Sequence, residues 1–199
     1  MERNNLFPVF LKLESLSTLI VGGGNVGLEK LTAVLKNSPA ANVTLVARSI
    51  QESIKELARK HEHVKWEERN FKLWDLWDKD LVILATDNRQ LHETIRKFAR
   101  TRKLLINVAD TPDLCDFYLG SVVTKGNLKI GVSTNGKSPT MSKRIREYLE
   151  EALPEDTNDL LNNMQKIRDQ IKGDFSHKVK VLNDITTSFL ENGPAPANP

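Results

Sequence analysis

A chain of 199 residues with 39% hydrophobic and 28% charged residues can build one ordinary domain and a smaller appendage around a buried core. Its basic residues are scattered and the net charge is only +3, so nothing favours nucleic acid over an anionic small molecule. The single cysteine, Cys115, excludes an internal disulfide, and we find neither an apolar tract of membrane-spanning length nor a signal-like leader. We therefore predict a cytoplasmic protein that binds neither nucleic acid nor a membrane.

A glycine-rich turn joins the first predicted strand to the first predicted helix. The apolar segment 18–23 is predicted as a buried strand, because it is too short for a helix and ends in glycines. Apolar residues at helical spacing follow in 25–37. Between them, Gly22, Gly24 and Gly27 form G-x-G-x-x-G in the strand–turn–helix context of dinucleotide binding. Such glycines allow a tight turn, a close approach of the pyrophosphate and close helix–strand packing. A purely structural glycine turn is the alternative.

The second strand, predicted at 42–47, is followed by a basic residue where an acidic one is usual. In the usual fingerprint an acidic side chain accepts hydrogen bonds from the ribose hydroxyls, but this chain has Arg48 and Ser49 there. Arg48 suits a 2′-phosphate, and its other interpretations are stacking on adenine or exposure to solvent. These residues by themselves leave the choice between NAD and NADP open.

The alternation of helices and strands continues through the first half of the chain. Helices are predicted at 49–60 and 88–101, and strands at 64–69, 81–86 and 104–109. Alternation of this kind indicates a parallel sheet covered by helices. The fold class is therefore α/β, with a Rossmann-type domain over residues 1–112.

Besides the end of the second strand, two more strand ends carry polar groups that could face a ligand. Thr86 and Asp87 follow the fourth strand, and Asn107 and Asp110 lie at the end of the fifth. Doubly wound sheets bind ligands in the crevice outside the carboxyl ends of their strands. Asp110 is accordingly a candidate general base, with a turn-capping aspartate as the alternative. Thr86 is either a ligand contact or a helix cap.

Beyond Asp110 a hairpin and then helices replace the crossovers. Two β-rich runs flank residues 124–127, where Gly126 permits the positive φ of a hairpin turn. Pro139 suits a first helical position, and two further helices are predicted around 160–171 and 179–190. We predict a hairpin region over 113–140, a helical domain over 141–191 and a disordered tail, rich in proline, over 192–199.

Five segments, in order, resemble the precorrin-2 dehydrogenase family, whose members are NAD-dependent enzymes of siroheme synthesis and, in some cases, amino-terminal modules of siroheme synthases. They are FPVFLKL, LIVGGGNVGLEK, LVILATDNRQLH, INVADTPDLCDFYLGSVV and IGVSTNGKSPTMSKRIREYLE. The resemblance implies oxidation of precorrin-2 to sirohydrochlorin by hydride transfer to NAD, with loss of a proton from the macrocycle. It also implies a homodimer that uses the 113–140 region, and a helical end that helps to cover the substrate.

The resemblance further implies roles for individual residues. Asp110 matches the family's catalytic aspartate and would be the base for the departing proton. The positions expected to contact NAD are Gly22, Gly24, Asn25, Val26, Gly27, Arg48, Ser49, Thr86, Asp87 and Asn107. A loop expected near the carboxylate-fringed substrate contributes Ser133, Thr134, Lys137 and Ser138, with Lys137 as the expected carboxylate partner. Relatives often have serine where Thr134 stands.

Metal insertion is a separate question, because a tetrapyrrole supplies its own nitrogen ligands. His61 and His63 would diverge on a helix, so we expect no metal site made by the protein. His92 and His177 are expected on the surface, where either could touch the substrate.

Three interpretations of the function follow. The first is the dehydrogenase, and the second is a bifunctional dehydrogenase and ferrochelatase, since some relatives also insert ferrous iron. The third, from another class, is a non-catalytic NAD-sensing module. Because 199 residues leave no room for a methyltransferase domain, we expect a separate methyltransferase to supply precorrin-2. If iron is not inserted here, a separate chelatase uses the product.

Overall fold

The computed structural model describes residues 3–191, and its first half is a five-stranded parallel sheet with connecting helices. The predicted tail over 192–199 lies outside the described residues. The strands are β1 (Ser17–Val21), β2 (Asn42–Ala47), β3 (Val64–Glu68), β4 (Leu81–Leu84) and β5 (Leu105–Val108). The connecting helices are α1 (Asn25–Asn37), α2 (Glu52–Arg59) and α3 (Arg89–Thr101).

The strand order β3-β2-β1-β4-β5 reverses direction at β1. Val21 at the end of β1 pairs with Val46 of β2 on one side and with Leu84 of β4 on the other. The connections therefore leave β1 in opposite directions, which opens a crevice at the carboxyl ends of β1 and β4. The predicted Rossmann-type α/β class is confirmed.

Each face of the sheet is buried under its own set of helices. On one face Ile20 and Leu45 pack with Leu31 of α1 and Ile54 of α2, all fully buried. The other face packs against α3 through a cluster that contains Leu19, Val82, Ile95, Ala99 and Ile106. Burying each of these leucine or isoleucine side chains stabilises the fold by about 1.5–3 kcal/mol. The strands are consequently fixed in register, and the loops at their ends are held in place.

Apart from two short 3₁₀ helices at Leu73–Leu76 and Pro112–Leu114, the remaining elements of the described residues are a hairpin and three helices. Strands β6 (Ser121–Lys125) and β7 (Leu128–Val132) form the predicted two-stranded sheet, and Gly126 in its turn has φ +56°. The helices are α4 (Pro139–Ala152), α5 (Thr157–Gln170) and α6 (Phe175–Glu191). No helix within residues 3–191 is long and apolar enough to cross a membrane.

The described chain divides into two compact units. One contains the residues up to 122 together with 131–143, and the other contains 123–130 together with the residues from 144 onward. Both the hairpin and α4 are therefore shared between the units. The functional boundaries at 112, 140 and 191 stay a prediction.

The segment 7–13 forms neither a helix nor a strand, and Phe7 and Phe10 are 86% and 71% exposed. One local expectation differs from the structure. The second helix begins at Glu52 rather than at position 49, because Gln51 is extended and its N–H donates to the carbonyl of Gly23. A contact between distant parts of the chain thus delays the start of this helix.

Candidate active site

A cleft of about 790 Å³ opens at the carboxyl ends of the parallel strands. It is lined by the glycine turn after β1, the loops after β2 and β3, the start of α3, and the turn after β5. This volume is in the range of cavities that bind cofactors and other small molecules. Nine predicted site residues line it: Gly22, Gly24, Asn25, Val26, Arg48, Ser49, Thr86, Asp87 and Asp110.

The glycines of the turn serve different purposes. Gly22 has φ +135°, and a Cβ there would lie 2.2 Å from the carbonyl oxygen of Ala85. A Cβ at Gly27 would lie 2.2 Å from the carbonyl oxygen of Gly22, so the helix packs directly on the turn and Gly27 does not line the cleft. A Cβ at Gly24, in contrast, would meet nothing within 4 Å. Packing requires the first two glycines, whereas Gly24 keeps the backbone open toward the cleft.

Sequence reasoning missed Gly23 as a site residue. A Cβ at Gly23 would lie 2.1 Å from the carbonyl oxygen of Ser49, and Gly23 lines the cleft. The run of three consecutive glycines was the available signal, because the G-x-G-x-x-G pattern leaves this position unspecified. Gly23 lets the turn after β1 lie against the loop after β2.

The start of α1 suits the pyrophosphate of a dinucleotide. Gly24 is the N-cap and supplies no side-chain cap, so the N–H groups of Asn25 and Val26 remain for a ligand in the cleft. The helix dipole favours negative charge at this point. The Asn25 side chain is held by Gln51, whose Nε2 donates to Asn25 Oδ1 at 2.8 Å. The turn and the helix start therefore fit a dinucleotide.

Arg48 and Ser49 line the cleft beside β3. Arg48 Nε donates to Asn70 Oδ1 at 2.5 Å, and Asn70 also lines the cleft. The nearby Glu68 points to α2, since its carboxylate accepts from the N–H of Ile50 at 3.0 Å and from Lys55 Nζ at 2.8 Å. This end of the cleft is therefore basic and polar.

Asp110 stands in a strained turn directly after β5. Its φ is +54°, and the turn is closed by the Thr111 N–H, which donates to the carbonyl of Val108 at 3.3 Å. A non-glycine residue in this region costs about 1–2 kcal/mol, with aspartate and asparagine tolerated best. The turn presents the exposed Asp110 to the same cleft as the glycine turn. Strain of this kind concentrates at functional sites.

The segment that carries Asp110 is anchored to α3 by an ion pair and to β5 by hydrogen bonds. Arg96 of α3 forms a two-pronged ion pair with Asp116, in which Nη2 donates to Oδ1 at 2.6 Å. Asp116 Oδ2 also accepts from the N–H of Ile106 in β5 at 3.1 Å. The buried Asn107 donates from Nδ2 to the carbonyl of Phe117 at 2.8 Å and does not line the cleft. Asn107 thus fixes this segment, and its predicted contact with the cofactor is without support from the geometry.

Removing the Asp116 carboxylate is expected to destabilise the protein. Asp116→Asn leaves Arg96, whose side chain is only 11% exposed, without its counter-ion, at a cost of about 2–4 kcal/mol. The Arg96 hydrogen bond lowers the pKa of Asp116, so its contribution is complete above about pH 4 and is lost as the pH falls through the lowered pKa. Urea unfolding at neutral and acid pH measures this effect. If the free energy of unfolding had the same pH dependence in Asp116→Asn and in the wild type, this role of Asp116 would be contradicted.

The structure places one histidine, His92, in the cleft. His92 was expected on the surface, but it is 3% exposed, lines the cleft, and has Nε2 2.8 Å from Thr86 Oγ1. Burial lowers the pKa of His92, partly offset by the Asp87 carboxylate. Asn88, rather than Thr86, caps α3 through the N–H of Leu91. Within residues 3–191, no group of three His, Cys, Asp or Glu side chains could hold a metal ion.

The predicted substrate loop lies around a second, smaller cavity of about 170 Å³. Ser133, Thr134 and Lys137 line it together with Arg3 and Asn4. Thr134 Oγ1 accepts from the Ser138 N–H at 3.2 Å. Ser138 Oγ in turn accepts from the N–H of Met141 at 3.1 Å in the first turn of α4. Thr134 and Ser138 shape the loop, and Lys137 and Arg3 supply the cationic groups.

Comparison with known proteins adds two family matches. Residues 9–121 match the family model described as "Putative NAD(P)-binding", and residues 125–152 match "Sirohaem biosynthesis protein central". The siroheme synthase of Psychrobacter cryohalolentis is 35% identical over 178 residues, which are 89% of this chain and 33% of that protein. That of Ruthia magnifica is 31% identical over 87% of this chain and 36% of its own length. The chain thus spans about a third of the length of these relatives.

A solved structure has the same fold. The structure of SirC, precorrin-2 dehydrogenase, aligns with a TM-score of 0.70 over 94% of this chain and 93% of that one. The two sequences are 22% identical in this alignment. The sheet, hairpin and helices described above therefore form a known architecture.

Proposed function

Because the chain belongs to the NAD(P)-binding family that its residues 9–121 match, we propose that it is an NAD-dependent dehydrogenase that oxidises precorrin-2 to sirohydrochlorin. The matches to sirohaem biosynthesis proteins support the resemblance to the precorrin-2 dehydrogenase family that was read from the sequence. Those relatives support the choice of a tetrapyrrole substrate. The glycine turn and the start of α1 support the choice of a dinucleotide.

The observation that carries the proposal is the presence of Asp110 in the dinucleotide cleft. The proposed reaction is a two-electron oxidation in which the macrocycle loses a hydride and a proton. NAD, when bound, accepts the hydride. The proton needs a base close to the same carbon framework, and a positioned carboxylate is suited to this task. Asp110 lies in a turn, where its φ is +54°, and it lines the cleft.

Each part of the cleft then has a task. The glycine turn and the first N–H groups of α1 would hold the pyrophosphate. Arg48, Ser49 and Asn70 line the cleft beyond β2 and β3 and would border the adenosine end, so that the ends of β4 and β5 would be left for the nicotinamide and the substrate. The Arg96–Asp116 ion pair keeps the Asp110 turn in position, so that the proton acceptor is in place before the substrate arrives.

The cationic loop supports an acidic substrate. Lys137 and Arg3 line the second cavity, where carboxylates of the macrocycle would find charged partners. Lys137→Ala is expected to raise the KM for precorrin-2 by about 3- to 10-fold, because one charge-assisted hydrogen bond is lost, and to leave the affinity for NAD the same. Steady-state kinetics with both substrates varied measures this.

Lys97→Ala is a suitable control for Lys137→Ala. Lys97 is an exposed lysine of α3 that lines neither cavity. The Lys97→Ala variant should keep the wild-type KM for precorrin-2 and the wild-type affinity for NAD. An unchanged KM in Lys137→Ala would remove Lys137 from the substrate site.

The proposal includes a homodimer in the cytoplasm, with precorrin-2 supplied by a methyltransferase. The family resemblance supports the dimer, and so do the exposed apolar side chains of Phe7, Phe10 and Tyr148, which a second copy could cover. Iron is inserted either by a separate chelatase or by this chain in the same cleft. Asp110 is the base available to either reaction.

An anaerobic absorbance assay tests the proposal. Enzymatically generated precorrin-2 is mixed with the purified chain alone, with NAD, and with NAD plus ferrous iron. A sirohydrochlorin spectrum that requires NAD supports the dehydrogenase. Siroheme formation faster than in a blank of iron and sirohydrochlorin would add the chelatase. Binding of NAD without any product would favour the NAD-sensing module.

A further inference from the structure

We propose that the adenosine end of the cleft accepts a 2′-phosphate, with Arg48 as the specificity-determining residue, so that the chain binds NADP as well as NAD. This inference rests on the dinucleotide cleft of the proposed function but not on its substrate or reaction. It concerns the three side chains that line the cleft beyond β2 and β3, which are Arg48, Ser49 and Asn70.

Among residues 3–191, no carboxylate lines this end of the cleft, where it could select NAD. The acidic residues among the cleft-lining residues are Asp87 and Asp110, which follow β4 and β5 on the other side of the glycine turn. The carboxylate nearest in sequence to Asn70, Glu68, binds the Ile50 N–H and Lys55 and does not line the cleft. An acidic residue after β2 would accept the ribose hydroxyls and repel a phosphate. This chain lacks that source of discrimination.

Arg48 is held in a suitable position by a neighbour. Its Nε donates to Asn70 Oδ1 at 2.5 Å, which leaves the two terminal nitrogens for other acceptors. In the described part of the chain, the structure gives those terminal nitrogens no partner. Asn70 is itself held, because Arg69 Nη1 donates to its carbonyl oxygen at 3.0 Å. The guanidinium is therefore oriented at one edge and open at the other.

The open edge matches the chemistry of a phosphate. Two parallel N–H groups of a guanidinium bind two phosphate oxygens in a fork, which lysine cannot reproduce. The Ser49 hydroxyl, next in the chain and on the same cleft, can donate to a third oxygen. Arg48, Asn70 and Ser49 thus form a polar end that accommodates the phosphate of NADP and still admits the ribose of NAD.

The test is equilibrium binding of NAD and NADP to the full chain without precorrin-2, measured by calorimetry. For the wild type we expect Kd values within about tenfold of each other. Arg48→Ala should raise the ratio of the NADP Kd to the NAD Kd at least about tenfold, as expected for loss of a charge-assisted fork. The ratio for Arg48→Lys should lie between those of the wild type and Arg48→Ala. Lys97→Ala removes the same charge outside the cleft and should leave the ratio unchanged.

The outcomes separate this inference from the proposed function. A wild-type ratio above about a hundredfold, or a ratio that Arg48→Ala leaves unchanged, overturns it. Neither result bears on the oxidation of precorrin-2 with NAD. If the anaerobic assay gives no product but the ratio responds to Arg48, the 2′-phosphate site stands and the dehydrogenase falls.

Discussion

Asp110→Ala is expected to lower the turnover of precorrin-2 by about 10²- to 10⁴-fold, the usual contribution of a positioned general base. The side chain is exposed in the cleft, so its removal leaves the core unaltered. Alanine is less favourable than aspartate at φ +54°, and Asp110→Asn keeps a residue type that tolerates this conformation. Both variants should bind NAD with wild-type affinity, measured by calorimetry, while their turnover is lost.

Asp113→Asn provides the matched control for Asp110. It removes one carboxylate from the same segment, but Asp113 does not line the cleft, and its 3.7 Å pair with the cleft-lining Arg89 joins two exposed side chains. Exposed pairs of this kind contribute little to stability. We expect near wild-type turnover from this variant. Full turnover in a folded Asp110→Asn enzyme would show that another group takes the proton.

Gly24→Val is expected to abolish measurable dinucleotide binding in a folded protein. The position has φ −92° and open space around its missing Cβ, so valine fits the backbone and costs about 1 kcal/mol as a poorer N-cap. Its side chain would occupy the space in which the pyrophosphate approaches the turn. Calorimetry with NAD measures the loss of binding, and urea unfolding measures the loss of stability separately.

Two other glycines make the result interpretable. Gly131→Val introduces the same side chain on β7, where there is also open space, and should bind NAD normally. Gly22→Ala should instead unfold the turn, because its Cβ would meet the Ala85 carbonyl at 2.2 Å. Retained binding of NAD by Gly24→Val would place the pyrophosphate elsewhere.

Local sequence patterns were sufficient for most of the fold. Helix α1 and strand β2 have the predicted bounds, because apolar periodicity and the flanking glycines and proline report directly on local structure. The start of α2 could not be found in this way. It depends on hydrogen bonds of Gln51 to Gly23 and of Ile50 to Glu68, which join residues distant in sequence.

The candidate site was predictable where function depends on the backbone and less so where it depends on packing. Gly22, Gly24 and Asp110 occupy strand ends, and the topology alone brings strand ends together. The burial of His92 beside Thr86 and the bond from Asn107 to Phe117 arise from the packing of α3 and of the segment after β5. No spacing in the sequence reports these contacts. The same holds for Asn70, which only the structure places beside Arg48.

The most direct test of the central claim is the stoichiometry of the anaerobic reaction. Precorrin-2, NAD and the purified chain are mixed, and NADH and sirohydrochlorin are quantified by absorbance in the same sample. One NADH formed for each sirohydrochlorin, with both lost together in Asp110→Asn, is the result that we expect. Sirohydrochlorin that forms without NADH, or at the wild-type rate in Asp110→Asn, would contradict a dehydrogenase that uses this cleft and this base.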